Sequence, residues 1–91
     1  MAKGDLIEGK RVHSRDDGYL ILKDGEYGFD VFSQQWEAKP PGFPGVANLS
    51  NHNVVEHKDG TITVTPSILV KRNNKGDEWH GFLEKGIWRE V

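Results

Sequence analysis

Short runs of β-forming residues, separated by three turn signals, dominate the pattern of hydrophobic and polar positions along the chain. The turn signals are Lys23-Asp24-Gly25, Lys58-Asp59-Gly60 and Glu84-Lys85-Gly86. Glycine readily takes the positive φ that tight hairpin turns require, and aspartate is well tolerated before it. The pattern therefore predicts three hairpins and a mostly β fold, built as a small antiparallel sheet or a partly open barrel.

Each turn signal joins two runs that we expect to pair. The first pair is 19–22 with 27–32, the second is 54–57 with 61–65, and the third is 79–83 with 87–91. A further strand, 67–71, follows Pro66. Because proline donates no ladder hydrogen bond, we expect Pro66 at the start of that strand or at a bend between two strands. The polar residues 72–78 then form a loop, so that strands 68–70 and 79–83 pair antiparallel.

The middle of the chain departs from the strand pattern. Residues 33–39 have too few apolar positions to show a period, so they form either one short helical turn, with Asp30 or Ser33 as its N-cap, or an irregular segment. The next segment, 40–45, contains three prolines and fits neither a helix nor a central strand. We expect a long surface loop that exposes Phe43. Residues 1–9 are expected to be loosely held.

Length and composition narrow the class of protein. The 91 residues fit a single domain, and mixed charges with a net charge of −2 give no basic surface for nucleic acid. The absence of cysteine excludes disulfides, a thiolate zinc site and a cysteine nucleophile. No apolar run reaches the roughly 20 residues of a membrane helix, and the N-terminal residues lack a signal-peptide core. We therefore expect a cytoplasmic protein that does not bind membranes.

The C-terminal hairpin suggests a binding surface. A three-residue turn at Glu84-Lys85-Gly86 would place His80 opposite Glu90 and Phe82 opposite Trp88, all on one face. The other face would then carry the core residues Trp79, Leu83, Ile87 and Val91. A histidine–glutamate pair beside two aromatic rings is a candidate binding patch. The alternative is an ordinary stabilising pair that the middle loop covers.

A second candidate contact surface is the proline-stiffened loop. It presents Phe43, with Trp36 nearby in the sequence, and aromatic side chains on a preordered loop lose little entropy on binding. Pro41 and Pro44 have the P-x-x-P spacing that aromatic-lined peptide-binding domains recognise, but no flanking arginine supports that role. The alternative is a purely structural loop.

Four histidines raise the question of a metal centre: His13, His52, His57 and His80. A regular strand places His52 and His57 on opposite faces, and no HExxH or EF-hand spacing is present. No serine lies in a nucleophile-elbow context. A small metal-dependent enzyme that uses His80 with His57 or His52 and Glu90 is the alternative to a non-enzymatic protein. No cofactor is expected.

Two segments in the last third of the chain resemble a known group of proteins. Residues 59–70 read DGTITVTPSILV and residues 79–88 read WHGFLEKGIW. They resemble small uncharacterised proteins encoded by bacteriophages and prophages, in which a T-x-T-P-S-I-like strand precedes a histidine-bearing G/S-F-x-x-x-G hairpin. Many proteins of that kind carry a cysteine just before the histidine, where this chain has Trp79. Any metal or thiol chemistry of the group therefore does not carry over.

These observations favour a small non-enzymatic protein-binding module, encoded by a phage or prophage, that acts on a host or virion protein. Its candidate binding residues are His80, Phe82, Trp88, Glu90, Phe43 and Trp36. The alternatives are the metal-dependent enzyme described above and a minor structural component of the virion. We expect it in the bacterial cytoplasm or in the virion, as a monomer or a homodimer, since an exposed edge strand can pair between chains.

Overall fold

The computed structural model describes residues 5–71 and 77–91, and these residues form nine β-strands with no helix. The strands are β1 (Leu6–Glu8), β2 (Lys10–Arg11), β3 (Glu26–Asp30), β4 (Gln35–Ala38), β5 (Ala47–Asn48), β6 (Asn53–Glu56), β7 (Ile62–Lys71), β8 (Glu78–Glu84) and β9 (Ile87–Glu90). The mostly β fold is confirmed, and the strands form two open sheets rather than a closed barrel.

The five-stranded sheet has the order β1-β9-β8-β7-β6 and is antiparallel throughout. The four-stranded sheet has the order β2-β3-β4-β5, in which β2 runs parallel to β3 and the other pairs are antiparallel. Apolar side chains from both sheets and from the loop segments that flank β5 form one buried core. Its members are Tyr27, Ala38, Phe43, Ala47, Leu49, Ile62, Val64, Ile68, Trp79, Leu83 and Trp88.

The second and third predicted hairpins are present. β6 and β7 are joined by the turn at Asp59-Gly60, and β8 and β9 by the turn at Lys85-Gly86. Strands 68–70 and 79–83 pair antiparallel as predicted. Pro66 lies inside β7, where the register of β7 against β8 shifts between Val64 and Ile68, so it marks a bend within one long strand. Most of the loop predicted at 72–78 lies outside the described residues.

The first predicted hairpin is wrong, although its turn exists. Residues 19–23 belong to no strand, and β3 pairs instead with β4 on one side and with β2 on the other. The segment after β2 continues this pairing, because Val12 N–H donates to the Tyr27 carbonyl at 2.9 Å. Both edges of β3 are thus occupied, one by β4 and the other by β2 and the residues after it, which leaves no place for 19–22.

The middle segment contains a strand in place of the predicted helical turn or irregular stretch. β4 pairs antiparallel with β3, so that Trp36 lies opposite Phe29. The turn before it is closed by Gln34 N–H, which donates to the Asp30 carbonyl, and by the Asp30 carboxylate, which accepts from Phe32 N–H. Asp30 therefore caps a turn, as its sequence position suggested, but the turn leads into a strand.

A strand also forms within the N-terminal segment that was expected to be loosely held. β1 pairs with β9 at the edge of the five-stranded sheet. Gly9, which follows β1, donates its N–H to the Gly86 carbonyl at 2.7 Å. A Cβ at Gly9 would lie 2.7 Å from Trp88 Nε1 and 2.9 Å from two backbone carbonyl oxygens, so this close approach of the chain requires glycine.

Candidate functional site

The register of the C-terminal hairpin decides which side chains point outward. β8 and β9 are joined by a two-residue turn, so Leu83 lies opposite Trp88 and Phe82 lies opposite Arg89. Lys85 and Gly86 both have positive φ, 49° and 77°, as the mirror-image turns of tight hairpins require. The predicted three-residue turn was wrong. A shift of one residue moves every side chain of one strand to the opposite face, and this is what happens to β9.

Trp88 consequently belongs to the core and not to an outward patch. Its side chain is only 1% exposed, its Nε1–H donates to the Gly25 carbonyl at 2.9 Å, and its ring packs edge-on against Trp79 with centroids 5.3 Å apart. Glu90 lies opposite Gly81, on the Trp88 side of the sheet, so the predicted pair with His80 does not form. Of the four side chains predicted to share one face, Trp88 and Glu90 therefore lie on the core side of the sheet, and His80 and Phe82 lie on the other side.

Phe43 is buried as well, being 5% exposed where the sequence predicted an exposed ring. The loop folds inward because its polar groups find partners near the turn at Asp24: Lys39 Nζ binds the Asp24 carboxylate and the Phe43 carbonyl, and Gly42 N–H donates to Asp24. The hydrogen bond from Lys39, followed by that from Gly42, lowers the pKa of Asp24 below its usual value. The loop is thus a structural cover for the core.

His80 and Phe82 remain on the solvent side of the five-stranded sheet. The guanidinium carbon of Arg89 lies 4.4 Å from the centroid of the Phe82 ring, which is a cation–π contact. His80 lies opposite Leu69, and a hydrogen bond of 3.0 Å joins its Nε2 to the Ser67 hydroxyl. We call this surface the outer face, and define it by Leu6, Leu69, His80, Phe82, Arg89 and Val91.

Three aliphatic side chains of the outer face are at least half exposed. Leu6, on β1, lies opposite Arg89 and is 69% exposed. Leu69 and Val91, on either side of His80, are 51% and 50% exposed. The position of Val91 is set by its N–H, which donates to the His80 carbonyl at 2.9 Å. Apolar side chains therefore flank the histidine and the stacked arginine–phenylalanine pair.

The described histidine contacts do not build a metal centre. His57 Nε2 bonds the Thr63 hydroxyl at 2.7 Å, and His52 Nε2 lies 3.1 Å from the Ser67 carbonyl oxygen, to which it must donate because a carbonyl only accepts. Among residues 5–71 and 77–91, no group of three or more His, Cys, Asp or Glu side chains is arranged to hold a metal ion. The geometry gives the metal-enzyme alternative no support.

Trp36, the remaining predicted residue, lines a solvent-open pocket of about 360 Å³. The pocket lies between the start of β4 and the segment that leads into β6. Arg11 packs over the Trp36 ring, 4.7 Å from its centroid, and also bridges the two sheets by an ion pair with Glu56 at 2.9 Å. Sequence reasoning named Trp36 but missed the pocket, because residues 34–36 meet residues 49–54 only in the folded chain.

Comparisons with protein-family models, with curated proteins and with solved structures found no match to this chain. In the described part of the chain, no helix is long and apolar enough to cross a membrane. The resemblance of residues 59–70 and 79–88 to phage-encoded proteins therefore stays a prediction.

Proposed function

We propose that this protein is a non-enzymatic protein-binding module that acts through the outer face of the five-stranded sheet. The observation that carries the proposal is the group of three aliphatic side chains, each at least half exposed, that surrounds His80 and the stacked pair of Phe82 and Arg89. An antiparallel sheet with one face in water normally alternates apolar side chains inward with polar side chains outward. Here Leu6, Leu69 and Val91 occupy outward positions of one face, where a protein partner would remove them from water.

Arg89 indicates the chemistry of the partner. Over the two described stretches of chain, no carboxylate lies within ion-pair distance of its guanidinium group. Arginine and aromatic side chains are the residues that most often dominate the affinity of protein interfaces. The partner that fits is a protein surface with aliphatic side chains to cover Leu69 and Val91 and with a carboxylate that reaches Arg89.

Two segments of the sequence support a phage or prophage origin for the protein and therefore a host or virion protein as its partner. Residues 59–70 and 79–88 resemble phage- and prophage-encoded proteins, and these segments include the turn before β7, most of β7 and β8, and the first half of β9. We therefore place the protein in a phage or prophage genome and its partner among host or virion proteins. The bacterial cytoplasm and the virion are the corresponding sites of action.

The test begins with capture of partners from lysate of the host bacterium and from purified virions, followed by dissociation constants for each purified partner. Leu69→Ser and Phe82→Ser are expected to weaken binding about tenfold or more, because they remove apolar contacts at the centre of the surface. Phe32→Ser is the matched control, since Phe32 is 63% exposed and lies in the turn between β3 and β4.

Thermal unfolding of each variant verifies that it remains folded. If Phe82→Ser is unfolded, the binding of Leu69→Ser decides the test. The absence of any stoichiometric protein partner from both sources would overturn the proposal. A partner that binds Leu69→Ser as tightly as the parent protein but loses affinity for Phe32→Ser would overturn it too, since the contact surface would then lie elsewhere.

A further inference from the structure

β6 is an edge strand of the five-stranded sheet. Among the residues that the structure describes, no strand pairs with β6 on the side away from β7. Of the four edge strands in this part of the chain, β6 is the longest with four residues, since β1 has three and β2 and β5 have two each. The free side of an edge strand carries main-chain donors and acceptors that can pair with another chain. β6 therefore offers more such groups than any other described edge.

The ladder between β6 and β7 determines which main-chain groups of β6 are free. In an antiparallel pair, hydrogen-bonded positions alternate with positions that are not hydrogen-bonded. His57 N–H donates to the Thr61 carbonyl at 2.8 Å, which makes this a bonded position. Val55, two residues earlier in the same register, is bonded to β7 in the same way. The N–H and C=O groups of Val54 and Glu56 therefore point away from β7, toward the free side of the strand.

This edge has neither a cover nor the features that prevent pairing. Val54 lines the solvent-open pocket of about 360 Å³, so there is open space beside the strand, and Val55 is 56% exposed. Edge strands that resist pairing carry lysine or proline, or contain a bulge. β6 reads Asn-Val-Val-Glu and pairs with β7 in an unbroken register. Its one charged side chain, Glu56, is held by the ion pair with Arg11.

The strand is complementary to itself in one antiparallel register. When Val54 pairs with Glu56 of a second copy, and Glu56 with Val54, each pair exchanges both of its main-chain hydrogen bonds. Val55 then lies opposite Val55 of the second copy, in a closely spaced pair of β-branched side chains. A register centred on Glu56 would set two carboxylates opposite each other. A register centred on Val54 would require the His52 N–H, which already donates to a backbone carbonyl.

We propose that this protein forms a homodimer through antiparallel pairing of β6 with β6 of a second copy. The two five-stranded sheets then make one continuous sheet across a two-fold axis, with Val55 and its counterpart at the centre. Because the contact is short, and interfaces that bury less than about 1,200 Å² are weak, the dissociation constant should be about 100 µM. Phe82 and Arg89 take no part in the pairing, so the dimer does not depend on the proposed protein partner.

Sedimentation equilibrium and amide hydrogen exchange test the pairing in the parent protein. Between about 10 µM and 1 mM, the apparent mass is expected to rise from that of one chain toward that of two. Over the same range, exchange of the Val54 and Glu56 amides should slow about fourfold, because they are free in the monomer and bonded in the dimer. The Val55 amide, which is bonded to β7 in the monomer, is the internal control and should change little.

Charge variants test the register. Val55→Lys and Val55→Glu each set two like charges opposite each other, so each variant alone is expected to dimerise at least about tenfold more weakly. An equal mixture of the two should dimerise again, because lysine then faces glutamate. Leu69→Lys is the matched control, since it adds the same charge at an outer-face position that is 51% exposed. It should dimerise as the parent protein does.

The proposal is overturned if the parent protein keeps the mass of one chain at about 1 mM, or if it dimerises without slower exchange at Val54 and Glu56. It is overturned too if Leu69→Lys prevents dimerisation as Val55→Lys does, because the contact would then lie on the outer face. A mixture of the two Val55 variants that stays monomeric would contradict the register. If these variants do not fold, hydrogen exchange in the parent protein decides the test.

Discussion

Trp88 and Phe82 are aromatic side chains on adjacent strands of one hairpin, yet only Phe82 lies on the solvent side of the sheet. Trp88 is 1% exposed and donates a hydrogen bond to the Gly25 carbonyl, whereas Phe82 lies outward beneath the Arg89 guanidinium. Gly81 permits this division, because a Cβ there would lie 2.5 Å from Trp79 Cη2 and 2.4 Å from the Arg89 carbonyl oxygen. The inner face of β8 is therefore filled by indole rings, and Phe82 remains on the solvent side.

Glu37 on β4 allows a pH-dependent test at the same scale. Burial raises its pKa above the usual 4.5, and the Asp30 carboxylate adds to the effect. The folded state therefore holds the proton more tightly than the unfolded chain, so the ionised side chain destabilises the fold at neutral pH. That cost disappears as the pH falls through the raised pKa to below 4.5.

Glu37→Gln is accordingly expected to raise the free energy of unfolding at neutral pH, by an amount that shrinks as the solution is acidified. Urea unfolding at neutral pH and below pH 4.5 measures the difference. Glu84→Gln, which removes one negative charge at an exposed position of β8, is the matched control. An equal gain from Glu37→Gln at both pH values would show that burial of the charge is not the cause.

The turn between β8 and β9 sets the register of the hairpin and therefore which of its side chains face solvent. A two-residue turn with positive φ at both positions is the geometry that Asn-Gly favours most strongly, and here a lysine occupies the first position at φ 49°. Lys85→Asn is therefore expected to stabilise the protein by about 0.5–1 kcal/mol. In a three-residue turn starting at Glu84, Lys85 would have negative φ and asparagine would bring no gain.

Chemical denaturation of Lys85→Asn beside Lys85→Gln makes this distinction. Both substitutions remove the same charge, but glutamine lacks the short amide that favours the left-handed region. Equal stability of the two variants would contradict the two-residue turn, and with it the assignment of Trp88 to the core side and of Arg89 to the outer face.

The elements that local chemistry encodes were predictable, and those that depend on distant partners were not. Gly60 and Gly86 mark their hairpins correctly because a positive φ is a local requirement. The sequence Glu84-Lys85-Gly86 is compatible with a two- or a three-residue turn, so the register of β8 against β9 could not be predicted from it. β4 contains only two apolar residues, Trp36 and Ala38, too few to reveal a period, and its strand conformation depends on pairing with β3. The parallel pairing of β2 with β3 has no local signal at all.

At the scale of the whole molecule, two packed sheets separate two surfaces with different chemistry. His80 and Phe82 were predicted as candidates on one surface and share the outer face, while Trp36 contributes to the pocket at another. Phe43 and Trp88 are in the core, where burial of a large aromatic side chain contributes most to the stability of a small domain. The site was therefore partly predictable: the residue types pointed to binding, but only the fold shows which of them reach solvent.

The central claim is that the outer face binds a protein partner, and mapping that interface on the protein tests it most directly. Amide signals of the ¹⁵N-labelled protein, recorded with and without the purified partner, report which residues the partner covers. We predict that the largest changes fall on His80, Phe82 and Arg89, with Leu69 and Val91 beside them. Changes confined to the pocket residues around Trp36, or to the turn around Phe32, with the signals of β8 and β9 unmoved, would contradict the account.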